Sequence, residues 1–522
     1  LYIIALFSFL SLTTQSLYAQ DEELDKTAQL ALIKKYAENS FRDGDYEFAL
    51  ENYKILLELE PDNLEYNYRI GVCYTETNID KTKAIKALEF VIGHNNFPKE
   101  AFYYLGRAYM YNYAFTKAVE AFYEYKVTGI NDQRLKEVDR LIEMSYYALE
   151  IMQQPQNIVF ERLDSTINTE FEDFNPFITK DGNFLIFASR REYVKEFEDY
   201  INNLYISEAS KKGGWEEAEK MEINSYDDEE IVGLSPDGEM ILMQVDGSYA
   251  TNDIHMARKK GNKFVKIEFE ELPDFLYIEG VEHGASINAN GNIIYFASDR
   301  RGGFGGLDIY MTEKTPEGNW AEPVNLGPEL NTEYDENFPN ISPDGKTMYF
   351  SSKGHESLGG YDLFRSTYND SLEVWTTPFN LGFPLNTPDD NYTISFVETQ
   401  EENQRIAYIS ANRKEGLGNR DIYKVTFKEE EQGTIISGTV YLNGQPLVGD
   451  FLKVDVTLYD KWGNTYAKYD VQQESGMVFM TLTPGIYNLT ISIEGTEVRY
   501  DEKIEINPDT GDFIEKQFYL SN

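Results

Sequence analysis

Histidines and serines are the first residues to consider for chemistry, because they act most often as bases and nucleophiles. The chain of 522 residues has four histidines, His94, His255, His283 and His355, and no two stand at HxH or HxxxH spacing. The segment nearest to a G-x-S-x-G nucleophile elbow, at 245–250, lacks the second glycine. The glycine-rich GGFGGLDIY precedes a predicted strand rather than a helix, so it is not a phosphate-binding loop. We therefore predict that the protein is not an enzyme.

Three aspartates, Asp308, Asp362 and Asp421, each follow a glycine-rich loop, as in GGFGGLDIY and LGGYDLF. Carboxylates on such loops suit Ca²⁺, whose protein ligands are oxygens. Aspartate side chains also cap backbone amides of their own turn. Recurrence at one place in each repeat favours the structural role. We therefore predict no cofactor, with Ca²⁺ as the alternative.

Charged side chains also follow two strands, in Ser189-Arg190-Arg191 and Ser298-Asp299-Arg300. Arg190, Asp299 and Arg300 are candidates for one ligand-binding face. The alternative is a structural aspartate–arginine contact between neighbouring repeats. The sequence favours the structural contact, and the ligand-binding face remains a hypothesis.

Two kinds of internal repeat organise most of the chain. The first kind along the sequence is helical. Between residues 30 and 125 a helix–turn–helix pattern occurs three times, with Ala49, Ala84 and Ala118 standing 35 and 34 residues apart. Small residues suit positions where paired helices approach closely. The pattern resembles the tetratricopeptide repeat, whose period is 34 residues. The resemblance implies an α-solenoid over 20–152, in which NDQRLKEVDRLIEMSYYALEIM is the capping helix.

The concave face of such a solenoid is the usual place for an extended peptide or a partner helix. Position within each repeat predicts the residues of this face. They are Lys34, Glu38, Phe41, Tyr68, Thr75, Tyr103, Arg107 and Tyr111. For any one of the tyrosines, core packing is as good an explanation as a contact.

A second period begins near residue 157. Tight turns at Asp181-Gly182, Asp237-Gly238, Asn290-Gly291 and Asp344-Gly345 are 56, 53 and 54 residues apart, and alternating strands flank them. A unit of this length with four strands is a propeller blade. Repeat counting predicts a β-propeller of five blades over 153–428. The fifth unit lacks its outer strand, and residues 157–163 match that strand, so we expect them to close the ring.

The last segment, 434–522, consists of short alternating strands with turn signals, which indicates an all-β sandwich. The order ISGTVYL, VDVTLYD, LTPGIYNLTISIEG resembles the transthyretin-like carboxypeptidase regulatory domain. The fold class predicted for the whole chain is therefore multidomain α plus all-β.

Charge and composition limit the partners. The formal net charge is −43, from 90 acidic and 47 basic residues, which argues against nucleic acid and against adsorption to anionic lipid. Such charge usually serves solubility; Ca²⁺ or a basic partner would be a more specific use. Residues 1–19 have the pattern of a secretory signal peptide, which predicts export and no membrane span after cleavage. The single cysteine, Cys73, forms no internal disulfide.

The order of these parts is distinctive. Helical repeats, a propeller with Asp-Gly turns and a regulatory-type sandwich together resemble the OmpA-family envelope proteins of Bacteroidota, some of which belong to type IX secretion and gliding. The resemblance implies a scaffold of the periplasm or outer membrane with envelope or secretion-apparatus partners. The sequence has no OmpA-like domain after FYLSN, so peptidoglycan contact is not expected. The alternative function is a glycan- or Ca²⁺-binding module of surface polysaccharide handling. The propeller also resembles that of TolB.

Overall fold

The computed structural model describes residues 26–520 except 129–133, 154, 197–198, 247–252, 262, 268–279, 399–403, 429–433, 449–453, 460–462, 464, 470, 472–474, 483–484 and 508–512. The predicted signal peptide at 1–19 lies outside the described residues. The chain forms two compact units, Leu1–Phe427 and Lys428–Asn522. None of the helices within the described ranges is long and apolar enough to cross a bilayer.

The first unit begins with a helical array, which has seven helices in the described residues. They are α1 Lys26–Asp43, α2 Tyr46–Leu59, α3 Leu64–Glu76, α4 Lys83–Ile92, α5 Ala101–Tyr111, α6 Phe115–Val127 and α7 Arg134–Ile151. Polar side chains cap the N-termini of α2 and α3. Asp45 accepts a hydrogen bond from Phe48 N at 3.1 Å, and Asn63 accepts one from Tyr66 N at 3.2 Å.

Small residues let the helices of each pair approach closely. A Cβ on Gly71 of α3 would lie 2.5 Å from Leu88 Cγ of α4, and one on Gly106 of α5 would lie 2.4 Å from Phe122 Cε1 of α6. Ala49, Ala84 and Ala118 are fully buried. The small residues of the sequence pattern therefore stand at helix–helix contacts, where a larger side chain would not fit.

The remainder of the first unit consists of antiparallel sheets. The strands of the first blade are β2 Asp173–Ile178, β3 Phe184–Val194, β4 Asp199–Glu208 and β5 Glu219–Lys220. Those of the second are β6 Asp228–Leu234, β7 Met240–Asp246, β8 Asp253–Lys260 and β9 Lys263–Lys266. The third has β10 Glu282–Ile287, β11 Ile293–Ser298, β12 Asp308–Glu313 and β13 Val324–Asn325.

The fourth sheet contains β14 Glu336–Ile341, β15 Thr347–Ser352, β16 Asp362–Asn369, β17 Val374–Trp375 and β18 Phe379–Asn380. The fifth has β19 Ile394–Val397, β20 Gln404–Ala411 and β21 Asp421–Lys428. Its outer strand is β1 Ile158–Arg162, which pairs antiparallel with β21 from Ile158↔Phe427 to Arg162↔Tyr423. The strand lies within the range 157–163 for which repeat comparison predicts this pairing.

The sheets that the described residues of the first unit form follow one another around a ring. Hydrogen bonds join each sheet to the next, and the last sheet to the first: Asn202 N to Asp228 Oδ1, Gln244 Nε2 to Glu282 O, Ile341 N to Ser286 Oγ, Asn340 Nδ2 to Ile394 O, and Ile178 N to Ser395 Oγ. The prediction of a β-propeller is confirmed by this closed arrangement.

An asparagine that recurs between blades, each time followed by threonine or serine, makes the same pair of hydrogen bonds at each place. Asn331, before the fourth blade, accepts a hydrogen bond from Ile309 N at 2.7 Å and donates one to Ile309 O at 3.0 Å, in the third blade. Asn168, Asn224 and Asn386 hold Ile422, Leu204 and Leu363 in the same way. Each asparagine therefore ties the start of one blade to the third strand of the blade before it.

The second unit has two sheets around one hydrophobic core. The first contains β22 Thr434–Leu442, β23 Gln445–Pro446, β26 Met477–Leu482 and β29 Phe513–Leu520, with β29 parallel to β22. The second contains β24 Val454–Tyr459, β25 Thr465–Tyr469, β27 Gly485–Ile493 and β28 Arg499–Ile506. Val440, Leu458, Leu489 and Phe518 belong to the shared core. This is the sandwich architecture expected from the alternating strands.

Candidate binding cleft

The helical array and the propeller share an interface within the first unit. Arg140 of α7 places its Nη2 3.0 Å from Lys353 O and 2.9 Å from Gly354 O, and it also contacts His355 O. The guanidinium of Arg140 lies 5.3 Å from the ring centre of Tyr334. Several carbonyls and one aromatic face therefore fix the last helix of the array on the fourth blade.

An ion pair joins the turn between α3 and α4 to the propeller. Lys81 contacts Asp389, and the side chain of Lys81 is only 15% exposed. Its ammonium also lies 4.2 Å from the ring centre of Tyr111. Burial opposes the charge, but Tyr111 and Asp389 outweigh it and raise the pKa of Lys81 above its ordinary value. The ion pair is therefore expected to persist across the ordinary pH range.

Apolar side chains complete the interface. Leu358 of the propeller is fully buried within the core cluster of the helices. The rings of Tyr113 and Phe383 are 5.9 Å apart, edge to face, and Gln156 N donates to Phe383 O at 2.7 Å. The array and the propeller therefore share a core, which fixes their relative placement.

A cleft of about 710 Å³ lies between the first helices and one end of the propeller. The wall from the array includes Glu47, Glu76 and Thr77, and the wall from the propeller includes Glu170 and Arg190. Its volume is in the range of pockets that enclose a ligand.

Carboxylates dominate the cleft, and three of them have cations. Glu76 pairs with Arg107 at 2.5 Å, Glu172 with Arg420 at 3.2 Å, and Asp199 with Arg190 at 3.3 Å. The pKa of Glu47 is raised above its ordinary value, mainly by partial desolvation at the cleft wall and secondly by the negative charge of Glu172. The Glu47 side chain is nevertheless exposed. The cleft therefore has a negative potential.

The predicted concave-face residues lie in several environments. Lys34 and Glu38 are exposed and 3.9 Å apart on α1. Phe41 is half-buried under the guanidinium of Arg69, and Tyr68 packs edge to face on Tyr104 at 6.3 Å. The side chain of Arg107 is 19% exposed and is paired with Glu76, which lines the cleft. Tyr111 accepts a hydrogen bond from Arg107 and lies under Lys81.

Two of these residues correct the sequence prediction. Thr75 is 1% exposed and donates to Gly71 O at 2.8 Å. Tyr103 is 4% exposed and its hydroxyl donates to Glu137 Oε1 at 2.6 Å. Position in the repeat indicates the helix face but not the depth of a side chain. Thr75 and Tyr103 therefore belong to the core rather than to a binding face.

The three loop aspartates bind their own loops. Asp308 accepts hydrogen bonds from Phe304 N at 2.6 Å and from Asn325 Nδ2 at 2.7 Å. Asp362 accepts from Leu358 N at 2.6 Å, and Asp421 accepts from Leu417 N at 2.7 Å. Burial raises the pKa of Asp362 to about 7 and also raises the pKa of Asp421. Within the described ranges, no three His, Cys, Asp or Glu side chains converge as a metal site.

The charged residues within strand β3 and directly after strand β11 also make structural contacts. Arg300 pairs with Glu282 at 2.9 Å, and Asp299 accepts from Val281 N at 2.7 Å. Both partners belong to the blade of Arg300 itself, which corrects the expected contact between blades. Arg190 is different, because it is part of the cleft and faces Asp199 there.

The sequence patterns missed Arg140, Lys81, Glu47 and Glu170. Glu170 stands in an Asn-Thr-Glu-aromatic motif that recurs at Glu333, but the motif does not indicate that this carboxylate lies opposite the array. Arg140, Lys81 and Glu47 act where the array meets the propeller, which no single repeat indicates. Their one signal is indirect: α7 directly precedes the closing strand β1, so the two parts had to lie close together.

No family model matches the chain, and no curated protein matches it. Among solved structures, TolB from Acinetobacter baumannii has a TM-score of 0.31 and 14% identity, over 58% of this chain and 71% of that one. A putative TolB from Agrobacterium tumefaciens has a TM-score of 0.29 and 12% identity, over 69% and 94%. A glycosyl hydrolase from Bacteroides ovatus has a TM-score of 0.33 and 12% identity, over 52% and 94%. Similarities of this size carry no functional assignment.

Proposed function

We propose that the protein is a non-enzymatic scaffold of the bacterial cell envelope, exported to the periplasm or the outer membrane. In this proposal the helices are a tetratricopeptide array, the propeller has five blades, and the sandwich is a regulatory-type docking module. The partners are envelope proteins, with components of type IX secretion or gliding as the first candidates because of the resemblance to OmpA-family proteins.

The observation that supports the proposal is the cleft between array and propeller. Two interaction modules that share a core through Leu358 present one fixed surface, whereas modules on a flexible linker would present two independent ones. The cleft is lined by residues of both modules. A fixed composite surface suits recognition of a protein segment, since little conformational entropy is lost on binding.

Affinity capture tests the proposal. The full-length protein, immobilised through its carboxyl terminus, is incubated with a detergent extract of the envelope of the organism that produces it, and bound proteins are quantified. We expect one or more partners at a stoichiometric ratio, with capture reduced when Arg140→Ala loosens the array from the propeller. Absence of any stoichiometric partner would contradict the scaffold function.

A glycan-binding module is the second candidate, favoured by one aromatic pair. Phe171 and Tyr200 line the cleft with their ring centres 4.9 Å apart, and aromatic faces beside polar groups are a common surface for sugar rings. Calorimetry with envelope oligosaccharides separates the two candidates. Heat of binding that is lost in Tyr200→Ala would favour the glycan, and absence of heat would exclude it.

A further inference from the structure

The cleft has more negative charge than its own cations neutralise. Six carboxylates line it: Asp45, Glu47, Glu76, Glu170, Glu172 and Asp199. Glu76, Glu172 and Asp199 have arginine partners, and Asp45 caps α2 through Phe48 N. Within the described residues, Glu47 and Glu170 have neither an ion pair nor a hydrogen bond, although the charge of Arg190 attracts Glu47 from a distance. These two side chains are therefore available to a ligand.

A single metal ion does not fit this arrangement. A bound Ca²⁺ needs six to eight oxygen ligands around one centre. Among the residues described, no three carboxylate, histidine or cysteine side chains converge in that way. Glu47 lies on the array and Glu170 on the propeller. Their separation on opposite walls suits a ligand with several cationic groups along its length.

Thr77 gives an independent indication of a ligand. It lines the cleft, it is 7% exposed, and its hydroxyl has no hydrogen-bond partner in the described part of the chain. Leaving a buried polar group unpaired costs about 1–3 kcal/mol. Most buried polar groups in proteins are satisfied. The hydroxyl is closed to solvent in the free protein, so a polar group of a bound backbone becomes its partner once the Thr77 side chain turns toward the cleft.

Aromatic side chains set the shape of the same site. Phe171 and Tyr200 pack at 4.9 Å, and Tyr193 stands edge to face on Tyr200 at 5.2 Å. Aromatic faces attract guanidinium and ammonium groups and also hold apolar side chains. The net charge of −43 adds long-range attraction for a basic partner.

We propose that the cleft binds a basic, extended peptide segment of a partner protein, with Glu47 and Glu170 receiving its cationic side chains. This inference rests on the proposed scaffold function and names the chemistry of the partner. Thr77 bonds the backbone of the segment, and the Phe171–Tyr200 pair takes a neighbouring arginine or apolar side chain.

Fluorescence anisotropy with the full-length protein tests the site. The probe is a short labelled peptide rich in arginine with one phenylalanine, and its control has glutamate in place of each arginine. We expect the basic peptide to bind and the acidic peptide not to bind. The double variant Glu47→Gln/Glu170→Gln should weaken binding about tenfold, since two charge pairs in a partly enclosed site are lost.

A matched control separates the cleft from the general acidity of the chain. Glu58→Gln/Glu329→Gln removes the same charge from two exposed sites outside the cleft, one of them also on α2, and should leave the affinity unchanged. Equal weakening by both double variants, or no weakening by the cleft variant, overturns the proposal. Ca²⁺ or oligosaccharide binding that depends on Glu47 and Glu170, without peptide binding, also overturns it.

Capture from the envelope extract distinguishes failure of this inference from failure of the scaffold function. If Glu47→Gln/Glu170→Gln retains the same stoichiometric partner as the unsubstituted protein, the scaffold function stands and the cleft assignment fails. If the unsubstituted protein captures nothing, the scaffold function itself fails.

Discussion

Arg140 Nη2 lies 2.9 Å from the carbonyl oxygen of Gly354 and so joins the last helix of the array to the fourth blade. Gly354 stands two residues after Ser352, where the first and third blades have Arg191 and Arg300 after Ser189 and Ser298. In those blades the arginine belongs to the blade and pairs with its buried acid. In the fourth blade the position is a glycine, and an arginine from the array lies at the same loop.

Replacing Arg140 tests the strength of this junction. We expect Arg140→Ala to lower the free energy of unfolding of the first unit by about 2 kcal/mol, because charge-assisted hydrogen bonds to the carbonyls are lost. Hydrogen exchange should increase over α7 and residues 353–355. Arg42→Ala is the control, since Arg42 is exposed and, in the described ranges, its one ion pair is with its neighbour Asp43. The prediction would be contradicted if Arg140→Ala had the same free energy of unfolding and the same protection from hydrogen exchange as Arg42→Ala.

The glycines of the helix pairs give a steric prediction. Gly106→Ala should destabilise the array by about 1–3 kcal/mol, because the new methyl group would meet Phe122 at 2.4 Å in a packed core. Gly93→Ala is the control: Gly93 has helical φ and ψ, and its nearest atoms are at 3.4 Å. Alanine there should be neutral or slightly stabilising. Thermal unfolding of both variants measures the difference, and equal melting temperatures would count against close packing at Gly106.

The raised pKa of Glu336 should make the free energy of unfolding depend on pH. Burial raises its pKa to about 7, and no cation pairs with it in the described residues. The folded protein therefore keeps a proton on Glu336 that the unfolded chain has already lost above its ordinary pKa. The stabilising contribution of this residue is present at low pH and is lost as pH rises from about 4.5 to above 7.

The substitution Glu336→Gln should remove the loss of stability that accompanies ionisation of Glu336 at higher pH. In the fifth blade the residue equivalent to Glu336 is Asn391, whose side chain accepts a hydrogen bond from Thr387 N at 2.8 Å. An amide therefore fits this position. We expect the variant to gain stability relative to the unsubstituted protein on going from pH 5 to pH 8, on the order of 2 kcal/mol. Urea unfolding at the two pH values checks this, and Glu329→Gln, at an exposed site, should show no such gain. A pH-independent difference at 336 would mean that the carboxyl group is ionised throughout.

Two threonines near the end of α3 should respond oppositely to valine. Thr75→Val loses a buried hydrogen bond to Gly71 O and should destabilise the array by about 1 kcal/mol. Thr77→Val loses no internal hydrogen bond, because its hydroxyl has none in the described residues, and should leave the melting temperature unchanged or raise it. Differential scanning calorimetry compares the two. A loss of stability at 77 equal to that at 75 would show that the hydroxyl of Thr77 has a partner in the free protein.

Features that recur along the chain were predictable from the sequence, and features that occur once were not. Each blade needs the same buried contacts, so Asn168, Asn224, Asn331 and Asn386 repeat with them, and so do the glycine turns. The close approach of paired helices similarly fixes Gly71 and Gly106. The cleft carboxylates Glu47 and Glu170 belong to different modules, and nothing in either repeat indicates that they face one space. The burial of Thr75 and Tyr103 depends on neighbouring helices, which a position within one repeat does not specify.

The pairing of β1 with β21 has a consequence for the order of events during synthesis and during the proposed export. Ile158 leaves the ribosome long before Phe427, its partner in the ladder. Until the last blade arrives, the nascent chain has a helical array that is complete and a propeller whose two edges are open. Contacts between such distant residues form slowly, and unpaired strand edges associate with other chains. An export pathway that keeps the chain unfolded until the whole propeller has been translocated would protect both edges at once.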